Sequence, residues 1–143
     1  MIANVACLCA TVRAASRELT RRYDAALRPA GLRTTQLSLL SRLEDDGPLP
    51  VSRLAARLGL DRTSLTRELH VLGERGLVVI DEAPDRRRRI VALTAAGSET
   101  LTAAWPHWEA AQQAAFAGLG EERTARLLAD LRAVAALATE TAA

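Results

Sequence analysis

Three groups of side chains in this 143-residue sequence have the types and spacing for chemistry. Arg62, Thr63, Ser64, Thr66, Arg67 and His70 crowd into nine positions. Their guanidinium, hydroxyl and imidazole groups suit hydrogen bonds to base edges and phosphates. Arg86, Arg87, Arg88 and Arg89 stand in a row. Four adjacent cations repel one another unless an anion lies near them or Asp81, Glu82 and Asp85 offset them, and a phosphate backbone is the natural anion. Cys7 and Cys9 are the only cysteines and Tyr23 the only tyrosine. A phenol O–H that hydrogen-bonds a thiolate lowers the thiol pKa, as a peroxide-reactive cysteine requires.

Each group also has a plainer reading. The first is an ordinary solvated helix face, the second a solvated charged loop, and the third a pair of small apolar residues of the kind most often buried. In a helix, positions two apart point about 200° away from each other, so Cys7 and Cys9 are expected to remain thiols rather than bridge within one chain. A thiolate metal site needs three or four ligands, and His70 and His107 lie far off with no ligand spacing around them. No glycine-rich phosphate loop or His–carboxylate motif is present, so an enzyme is poorly supported and no cofactor is called for. A thiol peroxidase acting through Cys9 is the one enzymatic version the residues allow, and a thiol-based peroxide sensor is its non-enzymatic counterpart.

Composition sets the frame for these groups. Half the chain is apolar, mostly Ala and Leu, and only 3% is aromatic, which points to helix packed on helix in one domain. The net charge of +2 is uneven: residues 1–47 carry +2, residues 48–94 carry +3 and residues 95–143 carry −3. All nineteen basic residues are Arg, whose planar fork fits phosphates and guanine edges. No run of eighteen apolar residues occurs and the N-terminus lacks signal-peptide order, so the expectation is a cytoplasmic chain with no membrane partner.

The positioning elements follow in order. Apolar spacing predicts a helix over residues 3–28, ended by Pro29 and Gly31. A second starts after Thr34 or Thr35, either of which can cap it, and runs to the acidic stop at Glu44–Gly47. Leu49–Val51 is at most a strand stub. Ser52 is the expected cap of a short helix, Arg53–Leu58, and a candidate DNA contact at its entrance; Gly59 supplies the turn. Asp61 caps the next helix, which carries Leu65, Leu69 and Leu72 to a stop at Gly76. Two β-branched strands, Leu77–Ile80 and Ile90–Leu93, bracket the arginine loop. Thr94 then caps a long helix to about Ala117, which Pro106 must kink or restart. The pair Trp105 and Trp108 around it reads as core or as the wall of a ligand cavity. Gly118 and Gly120 break the chain before a last helix with a wide stripe from Leu127 to Leu137.

This layout is a winged helix-turn-helix, in which Arg62, Thr63, Ser64, Thr66, Arg67 and His70 belong to a recognition helix in the major groove and the arginines to a wing. An arginine at the wing tip suits a narrow minor groove. The segments LDRTSLTRELHVLGERGLV and DRRRRIVALTAAG resemble the MarR family of bacterial transcription regulators, whose wing pattern is matched by Asp85, Arg87, Leu93, Thr94 and Gly97. The likeness extends over the flanking helices. It implies that Arg87 is the wing-tip arginine and that Thr63, Ser64, Thr66 and Arg67 face the groove. It further implies a two-fold homodimer whose terminal helices interlock and whose recognition helices address half-sites about one DNA turn apart. In the organic-hydroperoxide-sensing branch of the family, the reactive cysteine and one tyrosine partner have the separation of Cys9 and Tyr23, while the second partner tyrosine falls on Thr34. Along one helix Cys9 and Tyr23 are about 21 Å apart, so a tyrosine reaching Cys9 would come from the second copy.

The expected protein is therefore mainly α: a winged helix-turn-helix with a two-stranded β wing and long N- and C-terminal dimerisation helices. Residues 1–143 form a single domain, with 3–30 and 95–143 as the helical dimerisation region and 34–94 as the DNA-binding region. The expected function is a dimeric, sequence-specific regulator of double-stranded operator DNA, a repressor released by a small-molecule or oxidant effector. A pure protein-interaction module is the remaining class, and it would lack salt-dependent DNA affinity.

Overall fold

The computed structural model describes residues 7–81 and 89–140, the side chains of 138–140 excepted. Its elements are α1 (Leu8–Leu27), a 3-10 turn (Arg28–Ala30), α2 (Thr34–Asp46), β1 (Leu49–Pro50), α3 (Val51–Leu58), α4 (Arg62–Glu74), β2 (Val78–Asp81), β3 (Ile90–Leu93), α5 (Ala95–Leu119) and α6 (Glu121–Glu140). The chain divides into two compact units, residues 1–108 and residues 109–143.

The first unit is built on leucine. Leu39, Leu40 and Leu43 of α2 meet Leu54 of α3, Leu65 and Leu72 of α4 and Leu101 of α5, all with essentially no exposed surface. Full burial of each such side chain contributes on the order of 2 kcal/mol. The spacing of these leucines at three, four and seven residues is what makes each segment helical and what turns its face inward. Trp105 and Trp108 pack against this core at 5.5 Å in an edge-to-face pair, and Tyr23 leans on Trp108 at 6.5 Å. Both tryptophans are half-buried.

The sheet has three strands in the order β1-β3-β2, all antiparallel. The expected two-stranded wing is the β2–β3 hairpin, with Val78 opposite Leu93 and Asp81 opposite Ile90. The expected stub is its third strand, with Leu49 opposite Val91. This pairing corrects the role of Ser52. Helix α3 starts two residues earlier than Arg53, at Val51, whose N–H donates to the Arg89 carbonyl at 2.9 Å, so a sheet partner replaces the side-chain cap. Thr34 likewise does not cap α2 with its own oxygen. Its N–H and Oγ1 both donate to Asp24 Oδ1 of α1 at 2.7 Å, and the Gln36 Oε1 accepts from the Arg33 N–H at 3.1 Å.

Thr94 meets its expectation twice over. Its Oγ1 accepts from Gly97 N–H at 3.0 Å, which caps α5, and donates to the Gly76 carbonyl at 2.7 Å, which holds the end of the recognition-helix turn. Of the two expectations at Pro106, a kink or a restart, the restart does not occur: α5 runs from Ala95 to Leu119 with Pro106 inside. A proline inside a helix costs about 3 kcal/mol, and burial of Leu101 and Ala104 on the same helix works against that loss. In the second unit only Gly120 breaks the helix, at φ 85°, while Gly118 remains helical.

Gly97 has the least room for a side chain of any glycine in the first unit. A Cβ there would lie 2.1 Å from the Leu77 carbonyl oxygen and 2.6 Å from Leu93 Cδ1, and that carbonyl is fixed by the Thr94 N–H at 3.2 Å. Gly97→Ala is therefore expected to cost about 2–3 kcal/mol through overpacking, read as a lowered midpoint in thermal unfolding. An unchanged midpoint would show that β2 and α5 can separate without cost.

Candidate nucleic-acid interface

Helix α3, the turn at Gly59 and helix α4 form the helix-turn-helix. Gly59 takes φ 62°, the left-handed conformation that a C-terminal cap needs, and donates back to Ala55 and Ala56. Asp61 then opens α4: its Oδ1 accepts from Ser64 N–H at 2.8 Å and its Oδ2 from Ser64 Oγ at 2.6 Å. These bonds hold the Asp61 carboxyl below its ordinary value of 3.8, the Ser64 hydroxyl being the larger cause and its N–H the next.

Leu65, Leu69 and Leu72 sink one row of α4 into the core. That fixes the opposite face, and Arg62, Thr63, Thr66, Arg67 and His70 are all exposed on it. Thr66 Oγ1 donates to the Arg62 carbonyl at 2.8 Å, which leaves the hydroxyl oxygen able to accept. His70 Nε2 lies 3.5 Å from Glu74 Oε1. Arg62 and Arg67 have no carboxylate partner among the described residues. Ser64 differs from its neighbours: it is half-buried and its hydroxyl is engaged by Asp61, so the structure gives it a capping role. Ser52 is exposed in the first turn of α3.

Of the wing arginines, Arg89 is exposed and its carbonyl anchors the start of α3. Arg86, Arg87 and Arg88 lie outside the described residues. Cys9 and Tyr23 are not brought together within one chain, since they sit fourteen residues apart on the same helix. Two expectations change. Cys7 is not helical but is the extended residue preceding α1, its carbonyl accepting from Thr11 at 2.9 Å, and Cys9, expected on a buried apolar side, is exposed. Burial against Trp108 pushes the Tyr23 phenol above its ordinary pKa.

Sequence reasoning missed the residues that seat α4 from behind. Glu68 accepts from Arg33 Nη2 at 2.9 and 3.2 Å and from Gln36 Nε2 at 3.0 Å. Gln36 is 3% exposed and the Glu68 side chain 13%. One signal was available: Gln36 occupies the third position of α2, where a Gln reaches back to the helix start. Nothing local marked Glu68.

An exposed polar face on a capped second helix, beside the β2–β3 hairpin, defines a winged helix-turn-helix, the architecture of DNA-binding transcription regulators. A family model for the MarR family matches residues 30–89. The crystal structure of the M. tuberculosis transcriptional regulator MosR is 40% identical, covers 90% of this chain and 95% of that one, and superimposes with a TM-score of 0.77. MosR in complex with DNA gives 40%, 93%, 98% and 0.78. The repressor CouR bound to p-coumaroyl-CoA is 25% identical over 90% of this chain and 91% of that one, with a TM-score of 0.82. The regulator SarZ of Staphylococcus epidermidis is 31% identical over 93 residues, 64% of this chain, and the match spans 63% of SarZ. The chain belongs to the MarR family of transcription regulators. These relatives are regulators, not enzymes.

The capping of α4 carries a pH dependence. Because the folded-state pKa of Asp61 is depressed, its stabilisation is complete above its ordinary value and is lost as pH falls through the folded value. Thermal unfolding followed from about pH 6 down to about pH 3 should show a smaller acid-induced loss in Asp61→Asn, which keeps an acceptor but does not titrate. Identical profiles for the two proteins would remove Asp61 as a contributor.

Proposed function

We propose that the chain is a dimeric, sequence-specific DNA-binding regulator that acts as a repressor and is released by an effector. The observation that carries the reading is the exposed row Arg62, Thr63, Thr66, Arg67 and His70 on a helix anchored by its opposite side. Arg62 and Arg67, exposed and without a carboxylate partner among the described residues, offer their forks to phosphates and base edges. Ser52 at the entrance to α3 and the arginines Arg86–Arg89 of the wing add backbone contacts, with Arg87 in the minor groove. The DNA complex of MosR and the repressor CouR, with its bound ligand, support both halves of the proposal.

A second copy is the natural cover for what the single chain leaves open. Leu127, Leu128, Leu131, Val134 and Leu137 on α6 are all exposed, as are Leu8 and Leu19 on α1. Such stripes at both ends of the chain suit an isologous two-fold contact, which would pair the recognition helices. In this reading residues 1–143 act as one domain, with 3–30 and 95–143 for dimerisation and 34–94 for DNA.

A second reading of the release step, oxidation at Cys9 to a sulfenic acid, is favoured by the exposure of both thiols. Its test is operator binding before and after organic hydroperoxide. Loss in the native protein but not in Cys9→Ser supports it, and equal behaviour of the two sinks it.

For the DNA-binding proposal, affinity for the promoter region of its own gene should drop about a thousandfold between about 50 and about 200 mM salt if six phosphates are contacted. Arg87→Ala should weaken binding to all sequences. Arg67→Ala should change preference at one base position by about 1–3 kcal/mol. Affinity insensitive to both salt and Arg87 would end the proposal. Leu131→Glu should halve the sedimenting mass and weaken operator binding, whereas a native protein that sediments as a monomer would dismiss the dimer.

A further inference from the structure

Helix α4 carries a carboxylate, Glu68, directly after Arg67 of the groove-facing row. On a helix that meets a polyanion a free carboxylate would repel phosphate, but this one is engaged elsewhere. Its oxygens accept from Arg33 Nη2 at 2.9 and 3.2 Å and from Gln36 Nε2 at 3.0 Å, both at the start of α2. Successive helical positions are about 100° apart, so Glu68 stands on the flank of the row formed by Leu65, Leu69 and Leu72 and away from the row opposite. The anchor on α2 is itself fixed. Gln36 accepts from the Arg33 N–H at 3.1 Å while its amide donates to Glu68, and the N–H and hydroxyl of Thr34 both donate to Asp24 of α1 at 2.7 Å. Gln36 is buried, so neither end of its amide has water to turn to.

We infer that Glu68 is a positioning residue for sequence recognition: its bonds to Arg33 and Gln36 set the roll of α4, and the roll decides which base edges the outer row meets. The inference rests on the reading of the chain as a sequence-specific DNA-binding regulator, and it adds a specificity-determining residue that acts through Arg67 and its neighbours. The leucine row resists withdrawal of α4 from the core but, being held by non-directional burial, resists small rotations weakly. The tie lies to one side of that row, where rotation must stretch it. A helix with its side chains has a radius of about 5–6 Å, so a roll of about 20° carries a side-chain tip by about 2 Å. Hydrogen bonds to base edges tolerate about 0.5 Å. Phosphate contacts are less demanding, since Arg62 and Arg67 are exposed and can follow the backbone through their own torsions. Loss of the tie therefore costs base readout and spares backbone affinity.

Selection from a random duplex pool with the native full chain defines its preferred sequence. Affinity for that duplex over an unrelated one, at the same salt, gives a specificity ratio. Glu68→Ala should lower the ratio about tenfold, the size of one mismatched base pair, with affinity for the unrelated duplex unchanged within about twofold. Alanine is a strong helix former, and a variant that had lost its structure would lose both affinities together. Glu68→Gln, which keeps an acceptor for Arg33 and Gln36, should retain most of the ratio. Arg33→Ala, 35 positions earlier in the chain, should lower the ratio, and Arg33→Ala with Glu68→Ala should lower it no further than Glu68→Ala alone. The inference is overturned if Glu68→Ala keeps the native ratio, if it loses both affinities in equal measure, or if the two substitutions add in full. Where the native chain selects a sequence and one of these results is seen, the positioning role alone is lost. A native chain that selects no sequence would remove the regulator reading itself.

Discussion

The rest of the protein depends on one constraint: helix α4 must bury one row of side chains completely and leave the opposite row exposed. Leu65, Leu69 and Leu72 meet the first demand and Arg62, Thr63, Thr66, Arg67 and His70 the second. A thirteen-residue helix is marginal by itself in water, so its roll about its own axis is decided by the leucine floor that α2, α3 and α5 provide. Asp61 at its start and Gly76 after its end fix its length. The hairpin joins the same arrangement through Thr94, which ties the carbonyl of Gly76 to the first turn of α5.

Hydrophobic burial is non-directional, and it leaves small rotations of α4 nearly free. The hydrogen-bond chain behind the helix supplies the direction. Asp24 of α1 holds Thr34, the Arg33 N–H holds Gln36, and Arg33 and Gln36 together hold Glu68. Three helices are thereby linked by groups that cannot be left unpaired cheaply. The leucines supply most of the stabilisation and the polar chain supplies the setting. Such a division suits a regulator, because the setting can change while the core persists.

Where an element's ends are decided by neighbours within four residues, the sequence was legible. Asp61 and Thr94 cap as expected, and Gly59 and Gly76 take the left-handed turns their positions require. The family pattern marked Gly97, and the structure shows its reason in the Leu77 carbonyl that fills the space of a side chain. Ser52 and Thr34 went otherwise because their helix starts are satisfied from far along the chain, by the Arg89 carbonyl and by Asp24. Pro106 was read as a kink or a restart on local grounds, and the helix does not restart there, with Leu101 and Ala104 buried on the same helix.

The sequence by itself determined the order of helices and strands, the buried leucine rows and the residues left on the outer face of α4, since all of these follow from periodicity and local capping. Only the tertiary structure decided that Glu68 answers to Arg33 and Gln36, that β1 closes the sheet and starts α3, and that Cys9 is exposed. Those pairings join residues tens of positions apart. Their partners are chosen by how the helices pack, and no period or short motif in the chain records that choice.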